Sequence, residues 1–214
     1  MIYRRMKGFF RRAYETGKHG WPTVGPTAQV VEYFDRARQR FPGGLVLDIG
    51  CGEGRHSIAF ADLSHQVVAL DYEPMALERA KGFEASAVVR VPIHWLLADA
   101  FHLPFPPATF PIAVDYGIFH HVKVPDQARY IAGLQRVMAQ GGCLLLTVFS
   151  TNFQHYPGEV RRRNWTVHRD HYDRFFTQED LGRLFTPAFV VEEVVEEIEG
   201  HYAFHHALLV KDGA

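Results

Sequence analysis

The stretch Val46-Leu47-Asp48-Ile49-Gly50-Cys51-Gly52-Glu53-Gly54-Arg55-His56 decides the fold. A short apolar run passes into three glycines at alternate positions, and helical spacing resumes behind them. Glycine tolerates positive φ and leaves no Cβ between the backbone and a ligand. In open α/β sheets a ligand binds outside the carboxyl ends of the strands, where the strand order reverses. This turn is therefore expected to touch a nucleotide-like ligand. The dinucleotide pattern G-x-G-x-x-G does not fit, because Arg55 stands where its third glycine would be, and no Lys-Ser/Thr pair of a P-loop follows. Instead Asp48 precedes the glycines as D-x-G-x-G-x-G. A carboxylate there can hold ligand-facing amides or an ammonium group and would repel a pyrophosphate. The ligand should carry cationic groups and no phosphate.

Outward from the turn, strands and helices alternate. Apolar runs at 45–49, 67–70, 95–98, 112–114 and 143–149 predict five strands. Helical patterns fall at 57–63, 74–87 and 126–139, the last with Ile131, Leu134, Val137 and Met138 on one face and Gly141-Gly142 as its stop. Such alternation implies βαβ units and a mostly parallel sheet with right-handed crossovers. A helix at 178–185 precedes two strands, 190–198 and 202–210. Gly200-His201 is too short a joint for a crossover helix, so that pair is antiparallel. Residues 1–44 read as a polar, aromatic segment followed by one helix, 27–41, and residues 45–214 as the main domain. Residues 150–175, rich in Arg, His, Asn and Tyr without a clean period, read as an insertion over the active-site end of the sheet. Acids close two strands: Asp71, which can hold both hydroxyls of a ribose, and Asp99, followed by Ala100, which can accept from an exocyclic amine.

These residues together resemble the class I S-adenosylmethionine-dependent methyltransferases over about residues 13–211. VLDIGCGEGRH, VVALD, LLADAFHLPF, FPIAVDYGIFHHV and the late FTQEDLGRLF with its two closing strands stand in that family's order. The front segment, Tyr14-Glu15-Thr16-Gly17 through Trp21 to Gly25-Pro26, looks like the lid of small-molecule methyltransferases of the tellurite-resistance and thiopurine type. The resemblance implies an α/β, Rossmann-like, seven-stranded sheet of order 3-2-1-4-5-7-6, with strand 7 antiparallel and helices on both faces. It implies S-adenosylmethionine as cofactor and S-adenosylhomocysteine as product. By the same likeness Asp48, Gly50 and Gly52 meet the methionine part, Asp71 the ribose, and Asp99 with Ala100 the adenine. Cys51, Gly54 and Tyr72 are counted with them, Asp115 and Tyr116 lie beside the cofactor, and Tyr14 and Trp21 close over it. Two departures stand out: the family's Phe-Asp before strand four is Phe110-Pro111, and the lid's Trp-Asp is Trp21-Pro22.

A sulfonium methyl is already electrophilic, so the protein has mainly to align a nucleophile at about 3 Å and exclude water. His120 and His121, after strand four, are the candidate bases. Arg161-Arg162-Arg163, with His168, Arg169 and His171, is the main basic cluster and could orient an anionic substrate.

Composition narrows the alternatives. The chain has 214 residues, which suits one domain, and a net charge of −1. No whole-surface basic field for nucleic acid exists. Nucleic acid is thus disfavoured as a partner, and an RNA methyltransferase or a cofactor-binding regulatory protein remains the alternative to a small-molecule enzyme. Two cysteines, Cys51 and Cys143, make no disulfide framework and suggest a cytoplasmic setting. The basic start has no apolar core of a secretory signal, and no apolar run is long enough for a spanning helix. Thirteen histidines raise the question of a metal. The pairs His201 with His205 and His168 with His171 are the sets considered. Without supporting cysteines or an HExxH helix, no metal is expected.

Overall fold

The computed structural model describes residues 2–21, 25–168 and 170–212. Two helices, α1 (Ile2–Thr16) and α2 (Ala28–Arg40), lead into an alternating series: β1 (Val46–Ile49), α3 (Arg55–Asp62), β2 (Val67–Asp71), α4 (Pro74–Ser86), β3 (Ile93–Leu97) and β4 (Phe110–Tyr116). A 3-10 turn, Phe119–His121, precedes α5 (Gln127–Val137) and β5 (Met138–Phe149). A hairpin, β6 (Trp165–His168) and β7 (His171–Arg174), comes next, then α6 (Gln178–Phe185), β8 (Phe189–Glu199) and β9 (Tyr202–Lys211).

The main sheet has the order β3-β2-β1-β4-β5-β9-β8. β1 pairs in parallel with β2 and β4, whereas β9 runs antiparallel to both β5 and β8. Counting only its seven strands, this is the order 3-2-1-4-5-7-6 that the sequence implied. The order reverses between β1 and β4, so the glycine turn leaves the sheet at the switch point.

All four residues of β1 are buried because helices cover both faces. Leu47 and Ile49 pack on one side with Leu134, Leu181 and Phe185 from α5 and α6. Val46 packs on the other with Tyr33, Phe34, Ala37 and Phe60 from α2 and α3. Period-two side chains thus feed two cores, as a parallel central strand requires.

Three expectations change. α1 is a full helix of fifteen residues, with Met6, Ala13 and Tyr14 buried, where only the helix at 27–41 was anticipated in the first 44 residues. α5 ends at Val137, and Gly141-Gly142 lies inside β5. There the β4–β5 register shifts between Phe110 and Ile112. Pro111 sits at that shift and has no N–H to give the ladder. Residues 165–174 of the expected insertion form a hairpin. No described helix is long and apolar enough to cross a membrane.

Candidate functional site

Gly50, Gly52 and Gly54 all adopt left-handed backbone, with φ of +65°, +56° and +81°. At Gly50 a Cβ would stand 2.1 Å from Cδ1 of Ile118, so that side chain locks the glycine turn to the segment after β4. At Gly52 a Cβ would instead meet the Tyr14 hydroxyl of α1, at 3.2 Å. Asp48 is buried beneath the turn, and its Oδ2 accepts from the Ser57 hydroxyl at 2.5 Å. Asp71 accepts from the Gly52 amide at 3.0 Å and the Glu73 amide at 2.8 Å, which ties the end of β2 to the turn. Burial raises both carboxyls to about 6, against the hydrogen bonds that pull them down. A cationic ligand here would relieve that penalty on the ionised form. Cys51 is half-buried in the same turn, and burial holds its thiol well above the ordinary value.

Asp99 and Ala100 are half-exposed at the end of β3. Asp99 accepts from the Phe101 amide at 3.0 Å and lies 3.4 Å from the Lys7 ammonium. That ammonium also stands 5.1 Å over the Tyr72 ring. α1 therefore lies across the mouth where β1, β2 and β3 end. Tyr14 is buried, with its ring 5.6 Å from Trp21. Phe10 sits between the two halves of the site: its ring is 6.4 Å from Tyr72, 5.7 Å from Trp21 and 5.3 Å from His121. Phe9 likewise turns inward, its ring 4.4 Å from that of His171. Pro22 and Arg169 lie outside the described residues.

Beyond β4 the structure separates two neighbours in sequence. Asp115 accepts from the Tyr130 hydroxyl at 2.7 Å and from the amides of Ile118 and Phe119 at 2.9 and 3.2 Å. It is wholly buried and its carboxyl is pushed up to about 6 by burial. These bonds fix the 3-10 turn that follows β4. Tyr116 instead carries the Arg55 guanidinium 4.5 Å from its ring centre and faces His56.

The turn so fixed presents His120 and His121. His120 is buried, stacked 3.7 Å from the Phe149 ring centre, and burial lowers its pKa well below the usual value. His121 is half-buried, with Nδ1 2.9 Å from the Tyr172 carbonyl and 3.0 Å from Oδ1 of Asp173. Donation of Nδ1–H to that carbonyl leaves Nε2 with a free lone pair. His171 approaches the other oxygen of Asp173 with Nε2 at 2.9 Å. Burial pushes the Asp173 carboxyl up, but the two imidazoles outweigh it and hold it well below the usual range.

Asp173 is the residue that sequence reading missed. Its only signal was the His171-x-Asp173 spacing, which places both on one face of a strand. His120, His121 and Asp173 each offer one ligand atom within 4.8 Å of the others, so this set could hold a metal. The histidine pairs weighed from sequence behave differently. His201 lies in the turn before β9, bonded to Gln154, and so does not share a strand face with His205. His168 and His171 do face each other across the hairpin, with ring centres 6.2 Å apart. Of the arginine cluster, Arg161 is folded inward, over the Phe175 ring at 3.5 Å and bonded to Glu159 at 2.8 Å.

Comparison with known proteins agrees with this geometry. Residues 46–142 match a family model described as a methyltransferase domain. A probable S-adenosylmethionine-dependent methyltransferase of Mycolicibacterium smegmatis is 30% identical over 78% of this chain and 60% of its own length. A 2-heptyl-1-hydroxyquinolin-4(1H)-one methyltransferase of Mycobacteroides abscessus is 26% identical over 60% of this chain and 55% of its own. The chain thus spans little more than half the length of these curated relatives. Among solved structures, the Burkholderia thailandensis 1,6-didemethyltoxoflavin-N1-methyltransferase, bound to its substrate and S-adenosylhomocysteine, superposes with a TM-score of 0.77. It is 18% identical, with 98% of this chain and 88% of that one covered. In sequence the chain is thus similar to S-adenosylmethionine-dependent methyltransferases over its central part, and it shares the fold of solved methyltransferases.

Proposed function

We propose that this protein transfers a methyl group from S-adenosylmethionine to a small-molecule acceptor that carries a dissociable proton. The observation that carries the reading is the junction of two halves: the acidic glycine cradle and the imidazole pair are joined through Ile118 over Gly50 and through Phe10. The cradle fits the cofactor chemically. Asp48 and Asp71 supply buried negative charge, and Gly52 leaves its place free of a Cβ. Asp71 would hold the ribose, Asp99 with Ala100 the adenine, and Asp48 with the glycines the methionine part. Gly54, Cys51 and Tyr72 would shape the walls, and Tyr14 and Trp21 would close them. Bound there, S-adenosylmethionine supplies an electrophilic methyl on a sulfonium sulfur.

His121, through Nε2, takes the acceptor's proton as the new bond to the methyl carbon forms and the carbon–sulfur pair returns to sulfur. His120 forms the adjoining wall, and Asp173 orients His121. Phe10 and Trp21 keep water from the transfer. The named activities of the relatives support a small acceptor, as does the net charge of −1, which disfavours RNA. Two free cysteines support a cytoplasmic setting.

Calorimetry with S-adenosylmethionine and S-adenosylhomocysteine tests the cradle, with binding of both expected. A screen across hydroxyl, amine, thiol and carboxylate acceptors, read as S-adenosylhomocysteine formed, then finds the substrate. Binding of neither cofactor form would sink the proposal.

A further inference from the structure

Among the described residues, six buried side-chain polar atoms have no hydrogen-bond partner, and four belong to one cluster: Nδ1 of His120, Nδ1 of His171 and both oxygens of Asp173. The other two are Oε2 of Glu53 and Nδ1 of His205. The imidazoles of His121 and His171 approach the two oxygens of Asp173 at 3.0 and 2.9 Å, so the atoms of the cluster with no polar partner at all are Nδ1 of His120 and Nδ1 of His171. A buried polar atom left unpaired costs about 1–3 kcal/mol. Native proteins tolerate such groups where a water, ion or substrate meets them. Two such nitrogens beside one buried carboxylate therefore point to an occupant.

We propose that His120, His121 and Asp173 bind one divalent transition-metal cation on the acceptor side of the site. Their three ligand atoms lie within 4.8 Å of one another, close enough for one ion to reach all of them. Two imidazoles and a carboxylate suit zinc and its first-row neighbours, whereas magnesium and calcium favour all-oxygen sites. Three protein ligands leave a position open, as in metal sites that admit water or substrate.

The groups behind the ligands are in place as well. The Tyr172 carbonyl orients His121, His171 stands beside the Asp173 carboxylate, and Asp115 fixes the turn that carries both histidines. Such outer partners set the direction of metal ligands. The inference rests on the reading of this cluster as the acceptor side and adds a regulation to it. Cation and proton compete for the same lone pairs, so the loaded form cannot use His121 as a base, and zinc is an inhibitor of proton-coupled transfer.

The test uses the full chain stripped with chelator and titrated with zinc chloride, cobalt chloride or magnesium chloride, with S-adenosylhomocysteine binding measured on the same sample. The expected result is one equivalent of zinc or cobalt, visible absorption bands from bound cobalt, and no uptake of magnesium. Asp173→Asn and His120→Asn should each weaken zinc binding at least about tenfold, a loss typical even of outer partners. His171→Asn, which removes no proposed ligand, should weaken it about tenfold and serves if the other variants fail to fold. His201→Ala, on the exposed turn, should leave it unchanged. The proposal is overturned if the wild-type chain takes up no zinc or cobalt, or if the folded variants bind as it does. Intact S-adenosylhomocysteine binding without metal uptake removes the cation alone, whereas loss of that binding in the wild type removes the methyltransferase reading.

Discussion

The two halves of the site are built by different means. The half proposed for the cofactor comes from one continuous stretch and two strand ends: Asp48, the three glycines, Asp71 and Asp99. Its working parts are backbone, glycine dihedrals and acids at the ends of parallel strands. The half proposed for the acceptor is assembled from distant pieces: Phe10 from α1, His120 and His121 after β4, and His171 and Asp173 from the hairpin. The cofactor is common to a family, so its half can be local and repeated. The acceptor differs among relatives, so its half is drawn from segments that vary freely without disturbing the sheet.

Gly50→Ala should break the comparison most strongly, because Gly50 belongs to both halves. A Cβ there strains a left-handed residue and collides with Ile118, at a combined cost of about 4 kcal/mol. Urea unfolding and S-adenosylhomocysteine calorimetry should both register the loss. His121→Asn should separate the halves: turnover of an acceptor that needs deprotonation falls about 100-fold or more, with cofactor affinity kept. Equal loss of both would show that the halves are one unit. Asp48→Asn should do the reverse and weaken S-adenosylmethionine by about 1.5–3 kcal/mol, the range for a hydrogen bond to a charged group.

The smallest effect is a pH dependence. Asp48 and Asp71 have carboxyls near 6 in the free protein, and a cationic ligand favours their ionised forms. Affinity for S-adenosylmethionine should be level above about pH 7 and fall as pH drops through 6, with a shallower fall in Asp48→Asn. An affinity that rises on acidification would place the cation elsewhere.

What was legible follows the same division. β1 and the glycine turn could be read because a strand covered on both faces is an apolar run and a left-handed turn wants glycine, whereas the sheet order came from the resemblance to a known family. Local pattern also placed His120 and His121 after β4. It misread α1, whose buried Met6, Ala13 and Tyr14 are interleaved with Arg4, Arg5, Lys7, Arg11 and Arg12. It took Gly141-Gly142 for a helix stop, because a bend within a strand uses the same residues as a cap. It could not show that Tyr130 bonds Asp115, since nothing near Asp115 in sequence announces that partner. Asp173 was hidden for the same reason: its meaning lies in His121, more than fifty residues earlier.

The Arg79 guanidinium has one further consequence. It donates to the carbonyl of Tyr14 and, at 2.9 Å, to the buried carboxylate of Glu53, so it rivets the last turns of α1 to the glycine loop. At the other end Lys7 and Arg5 meet Asp99 and Asp170 in exposed ion pairs, a kind worth about 0–1 kcal/mol. Tyr3 adds a second anchor at that end, since its hydroxyl donates to Asp126 at 2.8 Å and accepts from the Lys123 amide at 2.9 Å, so α1 is pinned across the mouth of the site at both ends.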